Sequence, residues 1–458
     1  MFYKISPLLL LAGLITSCSL MAPDRANPNV KLPNSWNYQS NPAESNLPYI
    51  AWWQKFNDPD LNRIIESALK NNDSLEASKA NIEQARANLL SVEMSWIPKL
   101  SAMFGVMNMP PLLPQPQLIY GAYAGYNDLN VFNIIAQHKA AELGIEMAQM
   151  QHQANKLDVI SQTTSAYYTL IAQKEELRLN QENLNDLAKS MQIKQDNKNA
   201  GLAAIEATNE AKQSYYEALS QVKAIQNNII KCQNALNYLL GDMPGTQYHT
   251  ADFAKVETNY GNISNLPATV IGNRPDIAAT ALEYKVYAQD VTATYTKLLP
   301  SFLVGIGPAA GTSGGLPNVP STFSTTMQNN FITWSLNPEV FGHASMYKAQ
   351  AKSAYLNYID TVHKALRDIN NDLATNQITN ERYQLLKQAD MSAANKYQDT
   401  YSAYKAGLKS FNDTLTAKQN LNQMQQSVNQ MKLSQMQAII SLYHDLGGGY
   451  RYFNDESK

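Results

Sequence analysis

The sequence predicts a mixed α and β membrane protein, in which very long helices and short strands are arranged in two similar halves. Three observations lead to this prediction: the distribution of proline, an internal repeat, and short runs of alternating apolar and small residues. The chain has 458 residues and a formal net charge of −2. This near-neutrality argues against nucleic acid as a partner, because a nucleic-acid binder needs a basic face. No run of about 18 apolar residues is present, so a membrane-spanning helix is not expected.

Proline marks where long helices can run. All 20 prolines lie at or before Pro338, and none lies between Pro116 and Pro244. A proline inside a helix costs about 3 kcal/mol. The segments without proline therefore predict helices over residues 133–199, 202–240, 343–406 and 408–446. Within them, apolar residues such as Ile359 and Val362 recur at steps of three and four, which is typical of coiled coils.

The two halves of the chain repeat each other. Residues 72–98 resemble residues 274–300 at a constant offset of 202, and Leu240-Gly241 resembles Leu446-Gly447 at an offset of 206. An internal repeat means that one structural unit is used twice. The repeats are expected over residues 59–265 and 266–450, with a C-terminal tail over residues 451–458.

Each repeat carries two predicted strands between its helices. They are expected at about residues 99–127 in the first half, and at about 299–307 and 329–338 in the second. Phe302, Val304 and Ile306 alternate with small residues, Leu303 being the exception, and this pattern fits a transmembrane strand. Loops rich in proline and glycine are expected at Pro110–Pro116 and Pro308–Pro320.

Four strands cannot close a barrel, and lipid does not tolerate an open sheet edge. Two copies of the chain would give 8 strands and three would give 12, and only the larger number leaves an obvious pore. The prediction is a homotrimeric, 12-stranded outer-membrane β-barrel with four strands from each chain. A long periplasmic α-helical barrel, with helices of roughly 100 Å, would continue it. Such a conduit needs no active site.

The N-terminus has the features of a secretory signal. Lys4 is followed by a short apolar run and then by Ile15-Thr16-Ser17-Cys18. A cysteine after small residues resembles the lipobox of bacterial lipoproteins. This resemblance implies a signal peptide over residues 1–17, a diacylglycerol and an N-acyl chain such as palmitate on Cys18, and a lipid-anchored extended segment over residues 18–58. Ser19 favours the outer membrane of a Gram-negative cell. The alternative is an ordinary signal peptide with an incidental cysteine.

Several short motifs, in a fixed order, carry a family resemblance across essentially the whole mature chain. They are Trp52-Trp53 with Phe56, Asp58-Pro59-Asp60-Leu61, Ala68-Leu69 with Asn72, Leu239-Leu240-Gly241 with Pro244, Arg274-Pro275-Asp276-Ile277, and Leu442-Tyr443 with Leu446-Gly447-Gly448-Gly449-Tyr450. The chain resembles the TolC-type outer-membrane factors, in the lipoprotein branch that serves resistance-nodulation-division pumps. The resemblance implies a passive duct for drugs or other small toxic compounds, and hence a role in antibiotic resistance. Its implied partners are a periplasmic adaptor, an inner-membrane pump and outer-membrane lipid.

The resemblance also implies two functional regions at the periplasmic end of the helices. Gly201-Leu202 and Gly407-Leu408 match the tips that meet the adaptor in that family; the alternative is that they serve only as turns. The gate aspartate of the family falls on Thr416 here, and Asn412 takes the place of a gate leucine. Asp413 either supplies a carboxylate ring instead or is a solvated or helix-capping residue. The hypothesis is a weakly charged gate.

Enzyme chemistry is not predicted. Residues 311–315 spell the Gly-x-Ser-x-Gly pattern of a hydrolase, but the prolines that follow cannot start the helix which that site requires. The histidines lack ligand spacing, and His138, His152 and His363 are expected to be solvated. Neither a metal nor a dissociable cofactor is therefore expected. Two alternatives to the efflux channel stay open: the exit duct of a type I secretion system, and a lipid-anchored periplasmic coiled-coil scaffold without a pore.

Overall fold

The computed structural model describes residues 50–109, 113–201, 204–257, 268–312 and 322–451. Eleven helices and strands are labelled here in chain order: α1 Pro59–Asn71, α2 Asp73–Met94, β1 Lys99–Met109, β2 Leu113–Leu129, α3 Val131–Asn199, α4 Ile205–Leu239, α5 Pro275–Thr296, β3 Ser301–Thr312, β4 Thr322–Thr333, α6 Glu339–Lys405 and α7 Phe411–Asp445. Short 3₁₀ turns lie at Trp52–Phe56, Phe253–Lys255 and Ala268–Asn273. From α2 and from α5 onward, the two halves thus share the order helix, strand, strand, long helix, helix, and α1 precedes this unit in the first half.

The two long helices begin earlier than the sequence predicted, because asparagines cap them. The side-chain oxygen of Asn130 accepts from the backbone N–H of Asn133 at 3.0 Å, so α3 begins at Val131 and not at 133. Asn337 accepts in the same way from Glu339, where α6 begins instead of at 343. An oxygen side chain at this position satisfies a backbone donor that the first helical turn leaves open.

The two shorter helices begin later than predicted. The expected starts at residues 202 and 408 are wrong: α4 begins at Ile205 and α7 at Phe411. Gly407 has φ 74°, and the N–H of Leu408 bonds back to the carbonyl of Ala403 at 2.9 Å. This closes α6 with a left-handed turn. The chain therefore needs a short link before Ser410 can cap the next helix.

The four strands form one antiparallel sheet in the order β1-β2-β3-β4. The predicted limits of β4, 329–338, are wrong, since the strand runs from Thr322 to Thr333. Its pairing with β3 ends at Ser301↔Thr333, because the preceding residue is Pro300, which has no N–H to continue the ladder. The other end of β4 is polar, so alternating hydrophobicity could not mark it.

The predicted loops are also shorter than expected. Strand β3 continues past Pro308 to Thr312, because both β2 and β4 pair with it there. Strand β2 begins at Leu113, inside the expected Pro110–Pro116 loop. In β3, pairing with strands on both sides thus outweighs the tendency of a single proline to end a strand.

The chain divides into two compact units that cut across the two sequence repeats. The first contains Ala80–Met150 and Ala278–Thr361; the second contains Gln151–Ile277 with residues 50–79 and 362–451 of the described chain. Each unit thus holds parts of both repeats. The reason is that helices from the two halves lie side by side within each unit, as the hydrogen bonds from Asn133 to Ala293 and from Asn429 to Ala172 show.

The first unit is held together by small and aromatic residues. Val291 and Tyr295 of α5 pack against Val340 and Ala344 of α6. Further along the same two helices, Tyr284 packs against alanines at 351 and 354. In the predicted stripe on α6, Val362, Ile369 and Leu373 are buried, whereas Ile359 and Leu366 are half-buried. None of the helices in the described part of the chain combines the length and hydrophobicity needed to cross a membrane.

Candidate functional site

The four-stranded sheet has two edges. Each of the inner strands pairs on both sides, whereas β1 and β4 each pair on one side only within the described residues. The outer edge of each therefore presents backbone N–H and C=O groups that no strand among the described residues takes up. Such an edge is a template for a strand from another chain.

One face of the sheet is strongly apolar and exposed. Leu100 and Phe104 of β1 are 82% and 81% exposed, and Val304 and Ile306 of β3 lie exposed on the same face. The single chain thus leaves large apolar side chains in contact with solvent, which marks an interaction surface. On β4 the face continues at Ile332 and then turns polar at Asn330 and at residue 328.

Strands β2 and β3 approach each other most closely at paired glycines. Gly125 lies opposite Gly305, and a Cβ at position 125 would lie 2.2 Å from the carbonyl oxygen of Val304. Only glycine fits there, because a real Cβ does not come so close to a backbone oxygen. Position 105 on β1 differs, because a Cβ there would have no atom within 4 Å.

The two predicted helix tips are both glycine turns. Gly201 and Gly407 have φ of 72° and 74°, the left-handed conformation that favours glycine. A Cβ at either position would point into open space, so neither glycine is needed for packing. Leu408 is 81% exposed, as an apolar contact for another molecule requires. Leu202 lies outside the described residues.

The predicted gate residues lie in the first two turns of α7. Asn412, Asp413 and Thr416 are all exposed. The Asp413 carboxylate accepts from both the backbone N–H and the hydroxyl of Ser410, and the hydroxyl accepts from the N–H of Asp413. These hydrogen bonds hold the pKa of Asp413 below its ordinary value. Thr416 donates to the backbone carbonyl of Asn412 at 3.0 Å.

The tryptophan motif and the glycine-rich end of the chain meet in the second unit. The Trp52 indole stacks on Tyr443 at 5.3 Å and donates to the carbonyl of Gly448 at 3.2 Å. A Cβ at Gly449 would lie 2.8 Å from the Trp53 ring. The sequence showed these motifs but gave them no role. Their role is to join the two ends of the described chain.

Tyr167 connects a second motif, Asp58-Pro59-Asp60-Leu61, to α3. Tyr167 of α3 is buried and donates its hydroxyl to Asp58 at 2.7 Å, while the N–H of Ala251 donates to that hydroxyl at 3.0 Å. The other carboxylate oxygen of Asp58 caps α1. Asp58 thus fixes both the residue at which α1 begins and the place where this end of α1 lies against α3.

A charged cluster closes the C-terminal end of α7. His444 lies between the carboxylates of Asp158 and Asp445, at 2.7 Å and 2.8 Å. Burial alone would lower the pKa of His444, but the two hydrogen bonds outweigh it and raise the pKa to about 9. Arg274 donates to the Asp445 carbonyl at 2.9 Å and to the carboxylate of Asp276. Sequence spacing gave no sign of this cluster, because its members come from three distant segments.

Matching residues of the two halves make matching contacts. The Asn72 side chain donates to the carbonyl of Leu239 at 2.8 Å, and Arg274 makes the corresponding bond to Asp445. These pairs are related by the sequence offsets of 202 and 206. Likewise, left-handed Gly241 and Gly447 approach the carbonyls that precede Asn72 and Arg274. In both halves, the start of one helix is therefore tied to the end of another.

One histidine contradicts its predicted environment. His152 was expected to be solvated, but it is buried, with Nδ1 at 2.6 Å from the Ser78 hydroxyl. The same hydroxyl lies 2.7 Å from the Leu75 carbonyl. The reason is that α2 covers this face of α3. His363 is exposed as predicted, and His138 is half-buried near Glu93 and Glu142.

The remaining predicted sites fall partly outside the described residues. Cys18 does so, as does most of the Gly-x-Ser-x-Gly segment, from residue 313 onward. No group of three potential metal ligands occurs in the part of the chain that the structure describes.

Comparison with known proteins gives a consistent family. Residues 266–448 match the family model "Outer membrane efflux protein". The chain is 23% identical over 434 residues to "Nodulation protein T" of Rhizobium leguminosarum bv. trifolii, covering 90% of both chains. It is 22% identical over 470 residues to "Probable outer membrane lipoprotein SilC" of Salmonella typhimurium, covering 98% of both.

Structural comparison agrees. The fold matches the Campylobacter jejuni CmeC outer membrane channel with a TM-score of 0.77 and 21% identity, covering 95% of this chain and 96% of that one. At this level of identity the match shows a shared fold. In its sequence over residues 266–448 the chain is thus similar to outer membrane efflux proteins, and it shares the fold of an outer membrane channel.

Proposed function

We propose that the protein is the outer-membrane channel of a tripartite efflux pump, and that it passively conducts drugs or other small toxic compounds out of the cell. The observation that carries this proposal is the four-stranded sheet, with two unpaired edges and an exposed apolar face. An apolar face suits lipid, and edges in lipid must be paired. Pairing β1 of one copy with β4 of the next satisfies both edges.

Three copies would give a 12-stranded barrel, an even strand number of the kind that bacterial outer-membrane barrels use. The helices of each chain would continue it as a periplasmic α-helical barrel. The internal repeat supports this arrangement, because the matching contacts of Asn72 and Arg274 tie each half together in the same way. The proposed domains are therefore the two repeats at 59–265 and 266–450.

We propose a lipid anchor on Cys18, which would hold the protein at the outer membrane beside its strands. The partners would be a periplasmic adaptor and an inner-membrane resistance-nodulation-division pump. The adaptor would contact Gly201-Leu202 and Gly407-Leu408. Exposure of Leu408 supports this contact. Asn412, Asp413 and Thr416 would line the periplasmic gate.

The relatives' names support export as the general activity. One relative is a "Pyoverdine export outer membrane protein" and another a "Toluene efflux pump outer membrane protein". These cargoes differ greatly in polarity, which fits a passage whose selectivity lies in the pump. Energy would come from that pump, so we propose no catalytic role for this chain.

The first experiment is the native mass of the acylated protein, extracted from membranes in mild detergent. Three chains plus lipid are expected, and the same sample should conduct ions in planar bilayers. Replacing Cys18 with Ala should remove the lipid mass but keep the trimer. A monomer without conductance would favour the lipid-anchored scaffold. A conducting trimer that supports protein secretion but no drug resistance would favour the type I exit duct.

A further inference from the structure

The second unit contains a buried lysine without an acidic partner. Lys432 of α7 is only 6% exposed, and its Nζ donates to the carbonyls of Phe253 and Ala254 at 2.6 Å and 3.3 Å. Within the described chain, no carboxylate lies at ion-pair distance from this nitrogen. An ammonium group has three donors, so one donor remains for another acceptor. A buried charge without a counter-charge is costly.

Lys432 lines a cavity of about 600 Å³ beside the turn at Phe253–Lys255. The cavity is also lined by two further lysines, one glutamate and uncharged polar groups: Lys255, Lys387, Glu257, Tyr383 and Gln384. Three cations thus face one carboxylate. A volume of this size is typical of a small-molecule site.

The surrounding charges leave the cavity positive. Asp252 pairs with Lys255 at 3.3 Å and so offsets one of the three lysines, whereas Glu175 pairs with Arg178 outside the cavity at 2.7 Å. Burial is the main reason why the pKa of Lys432 falls to about 8. The positive charge of Lys387 lowers this pKa further, whereas the negative charges of Asp252 and Glu175 raise it. With Lys255 paired to Asp252, the remaining charges are Lys432 and Lys387 against Glu257, which leaves the cavity with a net positive charge.

We propose that this cavity is a binding site for a small anion with phosphate or carboxylate groups. Lys432 is its buried cation, and Lys387 and Lys255 are its accessible ones. The amide of Gln384 and the hydroxyl of Tyr383 supply hydrogen bonds of the kind that orient such a ligand. A bound anion would also link α6, α7 and the turn at 253–255 through shared contacts.

The test uses the purified full-length protein in a non-ionic detergent at pH 7. Inorganic phosphate and citrate are titrated in separate calorimetry experiments, with chloride at equal ionic strength as the reference. Saturable binding of one anion per chain is expected, and the anion that binds identifies phosphate or carboxylate as the ligand chemistry. Citrate affinity should fall as pH rises above about 8, because neutral Lys432 no longer attracts an anion.

Lys387→Gln should weaken binding by about tenfold, and Lys432→Met should abolish it. Lys396→Gln is the matched control on the same helix, and should bind as the unmodified protein does. If Lys432→Met does not fold, the result with Lys387→Gln tests the proposal, because the Lys387 side chain is exposed and its replacement should leave folding unchanged. The proposal is overturned if chloride gives the same heats, if neither anion saturates, or if Lys387→Gln binds normally. Because no transport is measured, such a failure would not bear on the channel function.

Discussion

Ser410 and Asp413 hydrogen-bond to each other reciprocally at the start of α7. The Asp413 carboxylate accepts from the Ser410 hydroxyl at 2.7 Å, and the Ser410 hydroxyl accepts from the Asp413 N–H at 3.2 Å. This is a capping box, in which two side chains satisfy backbone donors at a helix start. Helix capping is one of the two roles that the sequence left open for Asp413, the other being a carboxylate ring at the gate.

The capping role predicts that Asp413→Asn has little effect on ion preference. An exposed carboxylate is screened by solvent and salt, and Asn can still accept the hydrogen bonds. The expected change in the cation-to-anion permeability ratio is below about twofold. Reversal potentials in planar bilayers under a KCl gradient measure it. Loss of cation preference in this variant would show that Asp413 forms a charged gate ring.

The close pairing of Gly125 with Gly305 predicts that the sheet tolerates no side chain at position 125. Gly125→Ala should destabilise the protein by about 1–3 kcal/mol, because its Cβ would overlap the backbone of β3. Thermal unfolding in detergent, with native mass as a second measurement, checks this result. Gly105→Ala is the control, because its Cβ meets open space. Equal effects of the two substitutions would contradict the observed strand pairing.

The contact between the two ends of the described chain predicts a large loss of stability in Trp52→Ala. The residue is 1% exposed and packs on Tyr443, so its removal should cost about 3–5 kcal/mol. Denaturant unfolding of the purified protein measures the loss. Gly449→Ala would disturb the same packing, so the two costs should not add in the double variant. Additive costs would mean that the two residues act independently.

The position of His444 predicts loss of stability at alkaline pH. Its pKa of about 9 lies above the ordinary 6.5, so the stabilisation is complete below pH 6.5 and disappears as the pH rises to 9. The full contribution is about 2–3 kcal/mol. Burial and Asp445 raise the pKa of Asp372 from 3.8 to about 7. Its effect on stability therefore falls between these two pH values, mainly below the range in which His444 acts.

Unfolding free energies between pH 7 and 9.5 provide the measurement. His444→Gln should remove this pH dependence, whereas His363→Gln should keep it, because His363 is exposed on α6. Unchanged pH dependence in His444→Gln would assign the alkaline loss to another group.

The exposed tip predicts a docking defect without a folding defect. Leu408→Glu should weaken adaptor binding by at least about tenfold, because a charge replaces an apolar contact. Surface plasmon resonance with the purified adaptor measures the affinity, and native mass confirms assembly. Leu408→Met keeps an apolar side chain and should bind normally. Normal binding of Leu408→Glu would leave this tip with a turn role only.

The helices could be predicted from the sequence because proline and glycine act through their own backbone. The absence of proline marked α3 and α6, and the left-handed turns at Gly201 and Gly407 separate the helix pairs where expected. Strand limits were less accurate, because pairing with a neighbouring strand decides them. Thus β3 continues through Pro308, and β4 extends into a polar segment with no alternating pattern.

The sequence alone indicated which segments form long helices and that four strands are present, since both rest on residues close together in the chain. Only the tertiary structure decided which distant residues meet. Trp52 donates to a carbonyl 396 positions away, and Asp158 is 286 positions from His444. The burial of His152 by α2 and the uncompensated charge of Lys432 likewise depend on how the helices pack. No local pattern records such environments, because burial and partner charge arise only when separate segments come together.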